Sequence, residues 1–327
     1  MPITTTMFPA LTDHLDNIFN EVAKSKVSKM IGPDIFNVKD TTKLNYDHLI
    51  LHGLGMPERL VQGSDIPMVS TEEGDSITWV QKEYGKGYAV TKKMRKFDLY
   101  DQIDQLGASL PTGAFAAIEQ SMADSILYGW ANSYTDVFGE SGVSGLGPDG
   151  IMLFNASHSN NINSNVFSNV IVDGSTSNPT LSRSAVIAAR KAGLVYKDPN
   201  GLIRPINLDT LLVAPSKQDL AERMLYSTQM AGTGNNDIEP LKGQVKLKVW
   251  PQLETRSDST DTSAYWFMYD SEQVKETLHA KFSEKPSLDA PEKVYRSKNW
   301  EYTCDFYYTL GLGYPAYIRG SNASESA

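Results

Sequence analysis

The chain has one cysteine among 327 residues, Cys304, so it can form no internal disulfide and no zinc site built on several thiolates. A reducing place of synthesis is the default, with the thiol serving as a small core side chain. No apolar run approaches the ~18 residues of a membrane span. The N-terminus, MPITTTMFPALTDHLDNIF, has no basic stretch followed by an apolar one, so neither export through a signal peptide nor membrane insertion is expected. Without export, the glycosylation patterns Asn155-Ala156-Ser157 and Asn322-Ala323-Ser324 carry no weight. Positive charge is short as well: 30 Lys and Arg against 39 Asp and Glu leave a formal charge of -9. That balance argues against a broad basic face that grips nucleic acid by neutralising phosphates. The one basic knot, Lys92-Lys93-Met94-Arg95-Lys96, reads as a solvated or intersubunit face.

What is present describes an ordinary globular chain, 40% hydrophobic and 21% charged, long enough for about two domains. Leu11, Leu15, Ile18, Phe19 and Val22 recur at helical spacing and predict an amphipathic helix over residues 8–30. Residues 66–97 have short mixed runs, with Glu73-Gly74-Asp75 and Tyr84-Gly85-Lys86-Gly87 read as turns between strands, and predict an extended hairpin. Asp98 offers an N-cap, with Asp101 three residues on, to a long helix through Leu99, Ile103, Leu106, Leu110, Phe115, Ile118, Met122, Ile126 and Trp130. Gly107 and Pro111 predict a kink or short break in it. Residues 132–178, rich in Gly, Ser and Asn, read as a long loop region with short strands. A helix over 182–192, a turn at Asp198-Pro199-Asn200-Gly201, a buried strand Leu211-Leu212-Val213 and a helix from Pro215-Ser216 through Ala221 and Leu225 follow. Further strands are read over 244–250, 264–269 and 300–318. The whole is α+β without a repeated period.

Several stretches imitate chemistry. In GLGPDGIMLFNASH, residues 145–158, Gly145, Gly147 and Gly150 match Gly-x-Gly-x-x-Gly, a dinucleotide fingerprint that needs a strand before it and a helix after it. Here a Gly/Ser loop precedes, Pro148 interrupts, and Ile151-Met152-Leu153-Phe154 looks like a strand, so a turn is the better reading. Gly232-Thr233-Gly234 lacks the ending of a phosphate loop. Ser157 and His158 form no dyad by adjacency, because neighbours on an extended segment point to opposite faces. The five histidines, His14, His48, His52, His158 and His279, include no His-Glu-x-x-His, and the pair His48/His52 has no clearly spaced carboxylate to complete a site. Asp258 and Asp261 sit in a Ser/Thr-rich stretch without the glycine and closing glutamate of an EF-hand. No catalytic, cofactor-binding or metal-ligating residue is assigned, and no cofactor is expected.

The order of elements is more informative: N-terminal arm, extended hairpin, long helix, mixed domain, late return of strands. Tyr84-Gly85-Lys86-Gly87-Tyr88-Ala89-Val90-Thr91-Lys92-Lys93-Met94 with Asp98-Leu99-Tyr100, then Asp149-Gly150-Ile151-Met152-Leu153-Phe154 with His158, carry a resemblance to a known family. So do Leu211 to Pro215, and Asn236-Asp237 running into residues 244–249. From about Ser28 onward the chain resembles the major capsid proteins of tailed bacteriophages, the Hong Kong 97-type fold, and most closely the Mu-like major head subunit group. Pro111 and the Asn/Ser-rich residues 155–178 depart from that pattern.

The resemblance implies an N-terminal arm over 1–55, an extended loop over 56–97 and a peripheral domain with spine helix over 98–145. An axial domain over 146–270 and a C-terminal return to the peripheral domain over 271–327 complete it. It implies hexamers and pentamers tiling an icosahedral shell around double-stranded DNA, located in the virion and made in the host bacterial cytoplasm. A separate scaffolding protein, a portal and decoration proteins are the implied partners; the initial methionine gives the expectation that no large scaffolding segment has been removed. Residues 66–97 and 12–30 are the expected assembly surfaces, with Gly232 to Asn236 near a ring axis and Lys86, Lys92 and Lys93 facing acidic groups of a neighbour. Net negative charge suits an inner wall that encloses DNA without sequence-specific binding. An encapsulin-like nanocompartment shell enclosing protein cargo, and a Ser/His hydrolase using Ser157 or His158, are the alternatives.

Overall fold

Alternation of aromatic and polar side chains makes residues 299–312 the strand on which the largest sheet is built. The computed structural model describes residues 7–51, 59–60, 62, 65–66, 68, 73–97, 102–159, 166–198, 200–228 and 239–323. The expected caps Asp98 and Asp101, His52, the stretch 232–237 and the chain's last four residues lie outside them.

The chain opens with α1 (Met7–Val27), α2 (Gly32–Ile35), β1 (Asn37–Asp40) and β2 (Asn45–Leu51). Next come β3 (Glu73–Val80), β4 (Lys82–Val90), α3 (Lys92–Lys96) and α4 (Gln102–Leu127). Two small hairpins follow, β5 (Ser133–Tyr134) with β6 (Val143–Ser144) and β7 (Val172–Asp173) with β8 (Thr176–Ser177), then α5 (Arg183–Leu194). β9 (Thr210–Val213), α6 (Gln218–Tyr226), β10 (Lys246–Val249) and β11 (Trp266–Tyr269) lead to β12 (Leu278–Leu288), β13 (Glu292–Val294), β14 (Asn299–Leu312) and β15 (Ile318–Ser321).

In the first sheet β14 pairs antiparallel with β12, β13 and β4, and β1 adds to β12 in parallel. Tyr302, Cys304, Phe306 and Tyr308 are buried on one face of β14, while Glu301, Thr303 and Asp305 lie toward solvent on the other. The register of β12 slips twice between Phe282 and Ser287, around Pro286, which has no N–H to give the ladder. α4 joins the same hydrophobic cluster through Ile118, Met122, Ile126 and Leu127, and the Tyr308 hydroxyl donates to Ser121 Oγ at 2.6 Å.

The second sheet has the order β10-β9-β11-β15, with β9 and β10 parallel and the other pairs antiparallel. Both faces of β9 are covered, which is why Leu211-Leu212-Val213 reads as an unbroken apolar run. Leu212, Phe267 and Ile318 turn toward the α4 cluster, whereas Leu211, Val213, Trp266 and Met268 meet α5 and α6. Ser182 caps α5, its Oγ accepting from Ala185 N–H.

Four local expectations are corrected. Gly74 and Asp75 lie inside β3, and Tyr84 to Gly87 inside β4, rather than in turns. A Cβ on Gly87 would sit 2.8 Å from the Tyr302 carbonyl oxygen, so that glycine permits close strand pairing rather than a bend. The hairpin pairs β2 with β3; its first strand thus comes from before residue 56, and β4 belongs to the first sheet. The short break that Pro111 allows is absent: α4 is one continuous helix, losing one backbone hydrogen bond there while buried Ile103, Leu110, Ile118 and Met122 hold it on both sides. Ile151 to Phe154 form bends and a single bridge, Leu146 to Met152, not a strand. Within residues 271–323, β12, β13 and β14 lie in the first sheet and β15 in the second.

Candidate assembly surfaces

The segment that imitates an active site is a structural pin. Gly150 takes φ +70°, its N–H donating to Gly147 O at 3.0 Å, and Asp149 Oδ1 accepts from Ile151 N–H at 3.1 Å. The other oxygen of Asp149 accepts from His158 Nδ1 at 2.6 Å. His158 Nε2 lies 3.1 Å from Asn169 Oδ1 and 3.2 Å from Leu153 O, and Phe167 stacks on the ring. Both ring nitrogens face oxygen acceptors, the side chain is fully buried, and none of its edges opens to a substrate. Ser157 is exposed, in contrast to that buried ring. Asn169 Nδ2 extends the pin by donating to Leu153 O and Pro315 O, tying residues 145–158 to the turn before β15. The expectation of a hydrogen-bonding histidine in a turn fits this geometry, and the hydrolase alternative does not.

The acidic stretch is likewise closed on itself. Asp258 Oδ1 accepts from Thr260 N–H and Asp261 Oδ1 from Ser263 N–H, both at 2.9 Å, and Arg256 pairs with Asp258 at 3.3 Å. Among the described residues no group of three metal-ligating side chains gathers. No helix among them is long and apolar enough to cross a membrane. A cavity of about 340 Å³ lies between β3, the end of β14, α4 and the β5–β6 hairpin, lined by Trp79, Tyr84, Ser121, Tyr134, Asp136 and Tyr308.

The exposed surfaces are more telling. α1 docks its apolar stripe on the body: Leu15 meets Val90, Ile103 and Tyr302, while Phe19 meets Leu110 and Cys304. Gly107 makes room, since a Cβ there would stand 3.0 Å from Leu15 Cδ2. Its other face, with Asp13, His14, Asn17, Asn20 and Glu21, is exposed. The β2–β3 ribbon has two strands and no layer of its own, an arrangement that is marginal in isolation. It leaves Leu49 43% and Val80 48% exposed, with Leu44 at 66% at its base. α3 is capped by Thr91 Oγ1 and presents Lys92, Lys93 and Lys96 to solvent, with Arg95 over the Trp300 ring at 5.3 Å. Lys86 is exposed on β4.

Two buried features escaped the sequence reading. Glu119 accepts hydrogen bonds from Ile31 and Gly32 N–H and from Trp250 Nε1, joining α4 to the start of α2 and to the residue after β10. Trp79 sits at the root of the ribbon in a three-way ring contact with His48 and His279. The only signal for the second was the alternation Tyr46-x-His48 on one strand face.

These elements define a class: an α+β chain with a long central helix, two sheets sharing one core, and a two-stranded ribbon that leaves apolar side chains exposed. No family model matches the sequence, and no curated protein matches it. Solved structures do. A chain in the asymmetric unit of the bacteriophage PhiM1 mature capsid aligns with TM-score 0.55 at 11% identity, over 91% of this chain and 88% of that one. A chain of Gordonia phage Cozz aligns with TM-score 0.53 at 9% identity, over 89% and 85%. One from the capsid of an empty GTA particle aligns with TM-score 0.52 at 9% identity, over 88% of each. The chain has the Hong Kong 97-type fold of tailed-phage capsid subunits, along nearly its whole length.

Proposed function

We propose that this chain is the major head protein of a tailed bacteriophage, assembling as hexamers and pentamers into an icosahedral shell around packaged double-stranded DNA. The observation that carries the reading is the ribbon: a two-stranded sheet with exposed Leu49 and Val80, on a fold shared with phage capsid chains. A shell needs many moderate contacts, which permit correction while their number makes it durable. A ribbon laid on a neighbour supplies area that a compact domain could not reach. The exposed face of α1 and the Lys92, Lys93, Lys96 surface of α3 are further contacts of that kind. Together these suit a structural rather than an enzymatic protein.

The finer assignment, to the Mu-like major head subunit group, rests on the sequence motifs around Tyr84 to Tyr100 and Asp149 to His158. So does the partition into arm, extended loop, peripheral domain and axial domain, with the ribbon taken to begin at β2. A separate scaffolding protein, a portal and decoration proteins are the partners of this reading, the virion is its place and the host cytoplasm its origin. The formal charge of -9 favours an inner wall that encloses DNA without holding it.

Size-exclusion chromatography with light scattering, followed by negative-stain microscopy, tests the proposal on protein expressed with and without a candidate scaffold. Rings or closed shells are expected from the wild type, and folded but unassembled subunits from the paired substitution Leu49→Asp, Val80→Asp. A wild type that stays monomeric under every condition overturns the reading. Native particles that enclose protein instead of DNA would make it a nanocompartment.

A further inference from the structure

We propose that the root of the β2–β3 ribbon is an acid-sensitive latch, a histidine–tryptophan–histidine contact that releases the ribbon from the subunit body when the pH falls. The latch belongs to the single subunit, so it holds or fails independently of whether copies assemble.

The contact is tight and specific. The Trp79 indole lies against bare backbone at Gly311, where a Cβ would stand 2.1 Å from Trp79 Cε2. Tyr46 and His48, alternate residues on one face of β2, stack on that indole at 5.7 and 5.1 Å, nearly parallel to it. From the body, His279 of β12 meets Trp79 at 5.0 Å and His48 at 4.8 Å. Lys281, on the same face of β12, places its ammonium 4.8 Å over the Tyr46 ring. Gln81 completes the joint, donating through its N–H to Leu44 O and through Nε2 to Lys281 O.

The charges around this joint are basic. β2 contributes His48, while Asp47 accepts from Thr78 Oγ1 on the ribbon. β12 contributes His279 and Lys281, and β1 places Lys39 opposite Lys281. Before β12, Glu276 offers its backbone oxygen to His279 Nε2 at 3.1 Å, whereas its side chain bonds Tyr317. β14 presents Gly311 and Thr309, opposite His279 and Lys281. Asp75 shares the Trp79 face of β3 but lies four residues further along, beyond Ile77. His279 Nδ1 is buried and has no hydrogen-bond partner among the described residues. A proton added there would gain no acceptor and would stand beside His48, Lys281 and Lys39.

Burial, and then the neighbouring His48, push His279 down from 6.5 to about 4; burial and Lys281 push His48 down as well. In the released ribbon His48 returns toward its ordinary value, and His279, freed of Trp79 and His48 but still beside Lys281 and Lys39, rises toward 6.5. Because the docked values are the lower ones, docking is at full strength above about pH 6.5 and is lost progressively as pH falls toward 4. With 6.5 and about 4 as the outer limits, His279 alone lowers the docked-to-released ratio by up to about 30-fold at pH 5. His48 acts in the same direction.

Hydrogen–deuterium exchange of the full-length protein, read by mass spectrometry and corrected for intrinsic exchange rates, tests the latch. Between pH 7.5 and 5.0 the amides of β2 and β3 should lose at least tenfold in protection, while those of β9 and β14 keep theirs. The double substitution His48→Gln, His279→Gln should abolish the pH dependence. Equal ribbon protection at both pH values in the wild type overturns the proposal, as does an unchanged pH dependence in the double variant. If that variant is undocked at both pH values, NMR titration of His279 in the wild type decides. A midpoint below about 5.5 that coincides with ribbon release supports the latch, and one near 6.5 overturns it.

Discussion

Glu119 offers the sharpest test of how the subunit holds its core, because one carboxylate serves three donors from distant parts of the chain. Its Oε1 accepts from Ile31 N–H at 2.8 Å, Gly32 N–H at 3.1 Å and Trp250 Nε1 at 2.7 Å, and the side chain is buried. Glu119→Ala leaves three buried N–H groups without an acceptor. At about 1–3 kcal/mol for each, and with partial relaxation, the expected loss is about 4 kcal/mol, a large share of the ~5–15 kcal/mol that holds such a domain. Glu119→Gln keeps an oxygen for Ile31 and Trp250 but sets an amide nitrogen near Gly32, so about 1–2 kcal/mol is expected. Trp250→Phe removes one donor, and combined with Glu119→Ala it should cost about 1–2 kcal/mol less than the two changes summed. Urea unfolding of free subunits, followed by circular dichroism, measures all four. If Glu119→Ala falls within about 1 kcal/mol of wild type, or the double change is additive, the carboxylate is not the junction described.

Two further outcomes follow from the buried polar groups. His158→Ala strands the Asp149 carboxylate and should destabilise the subunit by about 3 kcal/mol, whereas Ser157→Ala, at an exposed position, should stay within about 0.5 kcal/mol; thermal unfolding distinguishes them. Burial, with Asp305 and Asp289 nearby, pushes the Cys304 thiol up to about 11, so at pH 8 a thiol reagent should label the native protein at least a hundredfold more slowly than the urea-unfolded chain.

Much of the fold was legible in the sequence where burial is one-sided or complete. The α1 stripe of Leu15 and Phe19, the Ser182 cap and the Leu211-Leu212-Val213 run each report a local rule that the tertiary structure leaves intact. Local rules failed where a partner strand overrides them. Gly85 and Gly87 look like turn residues, but they lie in β4 because β14 runs against them at backbone distance. Pro111 looks like a break, but packing on both sides carries α4 past it. β1, β2 and β12 were not anticipated, and β12 is interrupted by its own bulges, so no clean period of two survives to be read. At the candidate site the absence of a helix after Gly150 was readable in the sequence, but the bonding of His158 to Asp149 and Asn169 was not, because Asn169 lies outside the segment. The latch and the Glu119 junction were invisible, because each joins residues more than 80 positions apart.

Cryo-electron microscopy of particles assembled from the full-length chain tests the central claim most directly. The account predicts closed icosahedral shells in which residues 45–51 and 73–80 of each copy lie on the body of a neighbour, covering Leu49 and Val80. Open filaments, or shells in which the ribbon folds back on its own subunit with those side chains still in solvent, would contradict it.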